Sequence, residues 1–352
     1  LFEEFGNVVV VGITSNTQVY TPKLLSEMYL TEGLQISTEA GMDIKSIKKW
    51  VMGDKSAIEW TDATWNPVTG CSKVSPGCAN CYAETLSLRF GHSKLPWTPG
   101  NAAENVVLHP ERLGLPFRWR DPRRVFVNSM SDLFHELVPD GYVAQVWDVM
   151  GKTPHVYQVL TKRPERMRDW LTRWTDRTGD HLVEPFQRER GPAATRSRYA
   201  SERAELFASM LESMGEPPPD AAYPTYDWMG GWRYWPRVLL NVWLGTSIEN
   251  DRWTGRADAL RETPATIRFI SAEPLLGPLP SLDLTGIDWL IVGGESGIGH
   301  RPIEANWVRD LRDRAVDAGV AFFFKQWGGR TPKAHGRTLD GRTWDEMPWR
   351  AR

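Results

Sequence analysis

From Val125 to Gln326 short apolar runs alternate with stretches whose apolar residues recur at helical spacing, and few folds accept that pattern. Residues 125–127, 155–160, 242–244, 267–270, 288–292 and 321–324 read as strands. Between them Val143, Val146, Trp147 and Met150 mark one helix, and Met167, Trp170, Leu171 and Trp174 a second. Trp253, Ala257 and Leu260 mark a third, and Ile303, Trp307 and Leu311 a fourth. Pro164 and Pro302 stand where helices start, and Gly151 and Gly319 where they stop. Strands alternating with helices imply parallel βα units. Strands without polar alternation imply a sheet buried on both faces. With a first strand near residues 60–66 the count is about seven. The fold class is therefore α/β: a parallel (β/α) barrel or partial barrel of the TIM type, with a mostly helical insertion. Residues 271–288 are rich in Pro, Gly and Leu and lack a helical pattern, so the repeat is imperfect.

Two regions fall outside the repeat. Residues 1–51 differ from the rest: Val8 to Val11 read as a strand, residues 22–30 as a short helix, and Met52 would be a natural start. We expect an N-terminal extension of unknown role over 1–51 and a barrel domain over 52–352. The barrel domain carries an insertion at about 175–237. That insertion has one helical stripe, Tyr199, Leu206, Phe207, Met210 and Met214, then three prolines, then Trp228, Trp232, Tyr234 and Trp235. It reads as a surface excursion or as a lid.

All three cysteines, Cys71, Cys78 and Cys81, fall within eleven residues, spaced C-x6-C-x2-C. Such clustering argues against a disulfide framework and for a reducing, cytoplasmic setting. No run of about 18 apolar residues is present, so no membrane span is expected. A net charge of −2 provides no field that would draw the whole protein to nucleic acid. The 18 tryptophans either pack the core or offer a stacking surface for bases.

A closed structural zinc site wants four ligands. Three thiolates with no fourth fit an iron–sulfur cluster with one iron left open. Completion by His92 or a carboxylate would make the site a zinc site, and simple reduced thiols are the third reading. The polar residues fall at the strand ends: Asn128 and Ser129; Lys162; Thr246, Ser247 and Glu249; Glu273; Gly293, Gly294 and Glu295; Lys325. In barrel enzymes those ends carry the site, and the cysteine loop follows the first strand at the same end. Helix capping accounts for Ser129 and Thr246 equally well. It does not account for Lys162, Glu273 and Lys325, which are the candidate catalytic residues. Asn128, Ser129, Thr246 and Ser247 are candidate cofactor contacts. Gly293, Gly294 and Glu295 suit a ligand that approaches the backbone closely. Asp62 and Glu84 flank the cysteine loop, Glu84 as a group that caps or orients it, with no reaction assigned to it.

Ile58-Glu59-Trp60-Thr61-Asp62-Ala63-Thr64-Trp65-Asn66-Pro67-Val68-Thr69-Gly70-Cys71, followed by Cys78-x-x-Cys81-Tyr82, resembles a phage and bacterial family of unknown function with a three-cysteine motif. The resemblance runs from about Met52 to the C-terminus. That family is similar in turn to the radical S-adenosylmethionine (SAM) enzymes, and among them to the spore photoproduct lyase branch, where a Cys-Tyr pair closes the motif. Their usual spacing is C-x3-C-x2-C; here the first gap is three residues longer, and Asn80 replaces the aromatic residue before the third cysteine. The resemblance implies a barrel of the radical-SAM type with a [4Fe–4S] cluster on Cys71, Cys78 and Cys81. It implies SAM at the open iron, with the backbone of Gly293-Gly294-Glu295 for the methionine amino group. It further implies an electron donor such as a flavodoxin or ferredoxin, and a nucleotide or nucleic-acid substrate in a phage or mobile-element context. Two other classes compete: a metal-stapled, non-catalytic barrel that binds nucleic acid or a protein partner, and a zinc-dependent hydrolase.

Overall fold

A computed structural model describes residues 56, 58–176, 238–331 and 334–348, together with the backbone of the strands Glu4–Phe5, Val8–Ile13, Asn16–Tyr20, Tyr226–Asp227 and Gly231–Trp232. The chain divides into two compact units, Leu1–Asp54 and Lys55–Arg352. In the first unit the three N-terminal strands pair as an antiparallel meander. The valine run from Val8 is its middle strand, as β-branched residues favour. The helix expected at 22–30 lies outside the described residues. So does most of the 175–237 insertion, including its expected helix. There the backbone shows Tyr226–Asp227 paired antiparallel with Gly231–Trp232.

The second unit is built on one sheet. Its strands are β1 (Ala63–Trp65), β2 (Arg124–Val127), β3 (Val156–Thr161), β4 (Val242–Ser247), β5 (Ile267–Ala272), β6 (Trp289–Gly293) and β7 (Ala321–Gln326). They lie side by side in chain order and every pairing is parallel. Because each crossover steps one strand in the same direction, right-handed connections carry the helices to one face. The sheet then curls away from them into a half-barrel. Among the described residues β1 and β7 do not pair with each other, so the barrel stays open.

The convex face is covered by α2 (Asp140–Gly151), α3 (Pro164–Asp176), α4 (Arg256–Glu262) and α5 (Ala305–Asp317), α1 being the short helix Tyr82–Arg89 after the cysteine loop. Val143, Trp147, Met167, Trp170, Leu260 and Leu311 meet Val125, Tyr157, Val159, Leu244, Ile270 and Leu290 in one core. These are the helical stripes read from the sequence. Two boundaries differ. Gly151 is the last residue of α2, with Lys152 capping it. α5 starts at Ala305 rather than Pro302, because the first helical bonds run from Trp307 and Val308 to the Glu304 carbonyl. Between β5 and β6 no helix forms; Leu275, Leu279, Leu282, Leu284 and Ile287 bury against the same core in its place. A tight turn forms at Leu339–Arg342, with Asp340 and Gly341 both at positive φ and Leu339 and Arg342 exchanging backbone bonds.

The concave face is filled by aromatic rings from the strands themselves and from Trp60. Trp243, Phe269, Trp289 and Phe323 form one layer, closed by Trp60 and Phe126. Gly245 makes room for it: a Cβ there would lie 2.4 Å from the Phe269 ring. Among the described residues tryptophan therefore serves packing, and none is exposed. Also among the described residues, no helix is long and apolar enough to cross a membrane.

Candidate functional site

Side chains along a strand alternate faces, so the last concave-facing position of each strand decides what stands above the aromatic layer. Trp243, Gly245 and Ser247 share the concave side of β4; Leu160 and Lys162 share that of β3. Over this end lies the cysteine loop. It leaves β1 through Val68–Thr69, which pairs with Val107–Leu108. Gly70 turns it at φ +80°, where a Cβ would fall 1.7 Å from the Asn105 carbonyl oxygen. Pro76–Cys78 makes one 3-10 turn, and Cys81 sits at the N-cap of α1.

Contacts from distant parts of the chain fasten the loop to the half-barrel. Arg163 donates to Cys71 Sγ (3.6 Å), to the Ser72 carbonyl (3.3 Å) and to Ser72 Oγ (3.1 Å). The Gly77 amide donates to Glu249 Oε1 at 3.1 Å, and the fully buried Glu249 is paired with Arg256. Asn80 Nδ2 donates to Glu295 Oε2 at 2.9 Å, and Arg301 Nη2 to the Pro76 carbonyl at 3.0 Å. Tyr82 adds a bond from its hydroxyl to the Ser129 carbonyl. Glu84 orients the loop as its position suggests, accepting from the Trp97 amide and from Lys73 Nζ, each at 2.8 Å.

Beneath the loop is a cavity of about 140 Å³, lined by Cys71, Cys78 and Cys81 together with Asn128, Ser129, Lys162 and Ser247. Seven candidates from the sequence thus meet at one place. The others do not line it. Thr246 faces the opposite side of β4 from Ser247 and donates to the Thr161 carbonyl at 3.0 Å, so it ties two strands together. Glu273 and Lys325 form an ion pair at 2.8 Å, with Ser271 donating to Glu273. Gly293 makes space for that pair, since its Cβ would lie 2.8 Å from Glu273 Oε1. Gly294 is pressed on its own chain, where a Cβ would come 2.0 Å from the Trp327 carbonyl oxygen. Burial opposes ionisation of Glu295, but Arg301 and Asn80 hold its carboxyl below the usual range. Asp62 lies at the other end of the sheet, before β1, and pairs with Arg124 at 2.6 Å.

Three residues that hold the loop, Arg163 with its partner Asp132 and Arg301, carry no mark in the sequence as candidates. Asp132 and Arg163 had one available signal: both follow the ends of neighbouring strands. They pair at 3.1 Å, both buried.

Without a metal, burial favours the protonated thiol at Cys71 and at Cys81. Burial pushes Cys71 from 9.0 up to about 12, Asp132 adding to the rise and Arg163 opposing it. Burial also raises Cys81, against the amides of Glu84 and Ala83 and the charge of Lys162. In the metal-free protein, Cys71 should therefore react with iodoacetamide at pH 8 roughly a hundredfold or more slowly than free cysteine, because the thiolate is the nucleophile. Its rate should still climb at pH 10, where that of free cysteine has levelled off. A plateau near pH 9 in mass-resolved alkylation would refute this assignment.

Among the described residues no group of three or more His, Cys, Asp and Glu side chains converges as a single-ion site. His92 lies within the influence of Arg112 and His109 and does not line the cavity. The three thiols instead line one cavity. That arrangement suits an iron–sulfur cluster, in which each cysteine binds a different iron.

The fold and site define an open, parallel α/β half-barrel with a three-cysteine loop clamped over its C-terminal strand ends. The chain belongs to the family described as "Protein of unknown function (DUF5131)", which matches residues 55–348. The match begins at the boundary of the second unit. No curated protein and no solved structure matches the chain.

Proposed function

We propose that the second unit is a radical-SAM-like iron–sulfur protein whose Cys71, Cys78 and Cys81 hold a [4Fe–4S] cluster. One observation carries the reading: three thiols from one loop line one cavity at the strand-end face. A cluster with three thiolate ligands supplies an electron and an open iron at which SAM can bind. The chain's own residues serve that group in definable ways. Arg163 and Lys162 place positive charge beside the thiolates. Glu249, Glu295 and Arg301 hold the loop in register with the strand ends. Substrate would meet the concave face, where Ser247 and the Glu273–Lys325 pair stand. A nucleotide or nucleic acid is the expected substrate class, and a flavodoxin- or ferredoxin-type donor the expected reductant.

Anaerobic reconstitution tests this. The wild-type protein should take up iron and acid-labile sulfide in cluster ratio. Cys71→Ala, Cys78→Ala and Cys81→Ala should each lose both while keeping an unchanged far-UV spectrum. Reduced protein given SAM should release 5′-deoxyadenosine. Bound zinc without sulfide would favour the hydrolase reading. A full cluster in any single variant, or a reduced cluster that neither binds nor cleaves SAM, would leave the metal-stapled binding barrel.

A further inference from the structure

Residues 118–124, Arg-Trp-Arg-Asp-Pro-Arg-Arg, carry a net charge of +3 in a chain whose net charge is −2. They lead into β2, so they stand at the opposite end of the sheet from the cysteine loop. Phe117 and Trp119 pack against the core. The backbone at Trp119 is extended, with φ −76° and ψ 127°, so the side chains before and after it turn the other way. Those two are Arg118 and Arg120, and both are exposed. Arg124 is paired with Asp62, and Arg123 lies over the Trp119 ring at 5.1 Å. Among the described residues Arg118 and Arg120 have neither an ion-pair nor a hydrogen-bond partner.

The backbone that carries them is held to β3. His155 Nε2 donates to the Pro116 carbonyl at 2.9 Å, and its ring meets that of Trp119 at 5.3 Å, near-perpendicular. The Arg118 amide donates to the Leu115 carbonyl, and the Val156 amide to the Arg123 carbonyl, each at 3.0 Å. Two exposed cations thus sit on a loop whose shape is set before any ligand arrives, which lowers the ordering cost of binding.

We infer that this loop grips the phosphate backbone of a duplex nucleic acid through Arg118 and Arg120. The arginine fork matches two phosphate oxygens at once. Other polyanions fit less well. A membrane surface calls for apolar anchors beside the cations, and this loop exposes no large apolar side chain. A protein partner calls for an apolar centre to the interface, which is missing for the same reason. A single strand calls for an aromatic platform on which its bases stack. The Trp119 ring is taken up by His155 and Arg123. A duplex stacks its bases inside and presents phosphate, so fixed cations suffice. Binding of this kind ignores base sequence. The inference does not rest on a cluster at the cysteines, because it concerns the other end of the sheet.

The test uses the full chain, metal-free and reduced. A labelled DNA duplex of about 20 base pairs is titrated by fluorescence anisotropy from about 20 to 200 mM salt. The logarithm of the binding constant should fall with the logarithm of salt at a slope of about −2, since each neutralised phosphate contributes about −0.9. A second duplex of unrelated sequence should bind equally well. Arg118→Gln and Arg120→Gln should each bring the slope about one closer to zero and weaken binding roughly tenfold at low salt. Neither side chain has a partner to lose, so both variants should keep the wild-type far-UV spectrum. Arg252→Gln, an exposed site just after β4 at the far end of the sheet, should change neither quantity. No saturable duplex binding at about 20 mM salt overturns the inference. So does unchanged binding in both loop variants, or an equal loss in Arg252→Gln. Tighter binding of the unpaired single strand, or of phosphatidylserine vesicles, overturns it in favour of those partners.

Discussion

Replacing Trp289 with alanine should destabilise the second unit by about 3–5 kcal/mol, the range for removing a large aromatic side chain from a packed core. Trp289 is 0% exposed and sits at the middle of the concave layer. Its ring meets Trp60 at 6.1 Å, Trp243 at 5.9 Å and Phe323 at 6.0 Å, all near-perpendicular, and Phe269 at 5.6 Å. Edge-to-face pairs of this kind add about 0.5–1.5 kcal/mol each beyond area burial. Among the described residues no helix covers this face, so its neighbours are Trp60 and strand residues held by the backbone, and the hole cannot collapse far. The urea midpoint should fall while the slope stays constant, as a change in stability alone requires. Trp289→Phe should cost less. A loss below about 1 kcal/mol for the alanine variant would mean that the concave face is open to water, because exposed substitutions fall within about ±0.5 kcal/mol.

Arg163→Ala should cost a similar amount for a different reason. Arg163 is 6% exposed and donates to Asp132, Glu136, Cys71, Ser72 Oγ and the Ser72 carbonyl. Burial works against its charge, but Asp132, Cys71 and Glu136 more than compensate and raise its pKa. Removing it strands Asp132, also buried, as an uncompensated carboxylate; breaking such a pair costs about 3–5 kcal/mol. Asp132 keeps its bonds from Thr161 Oγ1 and the Lys162 and Phe134 amides, which cannot neutralise it. Arg163→Lys should recover only part of the loss, since one ammonium cannot reach five acceptors held in a planar fork. The double variant Arg163→Ala with Asp132→Asn should lose less than the sum of the two singles, the signature of direct coupling. Additive losses in chemical denaturation would show that the two side chains act independently. A second readout follows from the contact with Cys71. Without the guanidinium the first strap of the loop is gone, and alkylation of Cys71 in the metal-free protein should change.

Much of the fold was legible because its signals are local. Strand composition and helical stripes from Val143 to Leu311 depend on neighbours a few residues apart, and those positions pack as read. The strand-end position of the cysteine loop also follows from chain order, since it comes directly after β1. The two-residue period of a strand separates two of the candidates: with Trp243 inside, Ser247 points in and Thr246 must point out. The tertiary structure alone decided which groups meet. Arg163 and Cys71 are 92 residues apart, Gly77 and Glu249 are 172 apart, and Asn80 and Glu295 are 215 apart. No local pattern encodes pairings at such distance; they arise when the sheet curls and brings the ends of β3, β4 and β6 under one loop. The same closure fixed the meaning of Gly293-Gly294-Glu295. As a tripeptide it suits a ligand, but in the folded chain Gly293 makes space for Glu273, Gly294 for the Trp327 carbonyl, and Glu295 holds Asn80 of the cysteine loop.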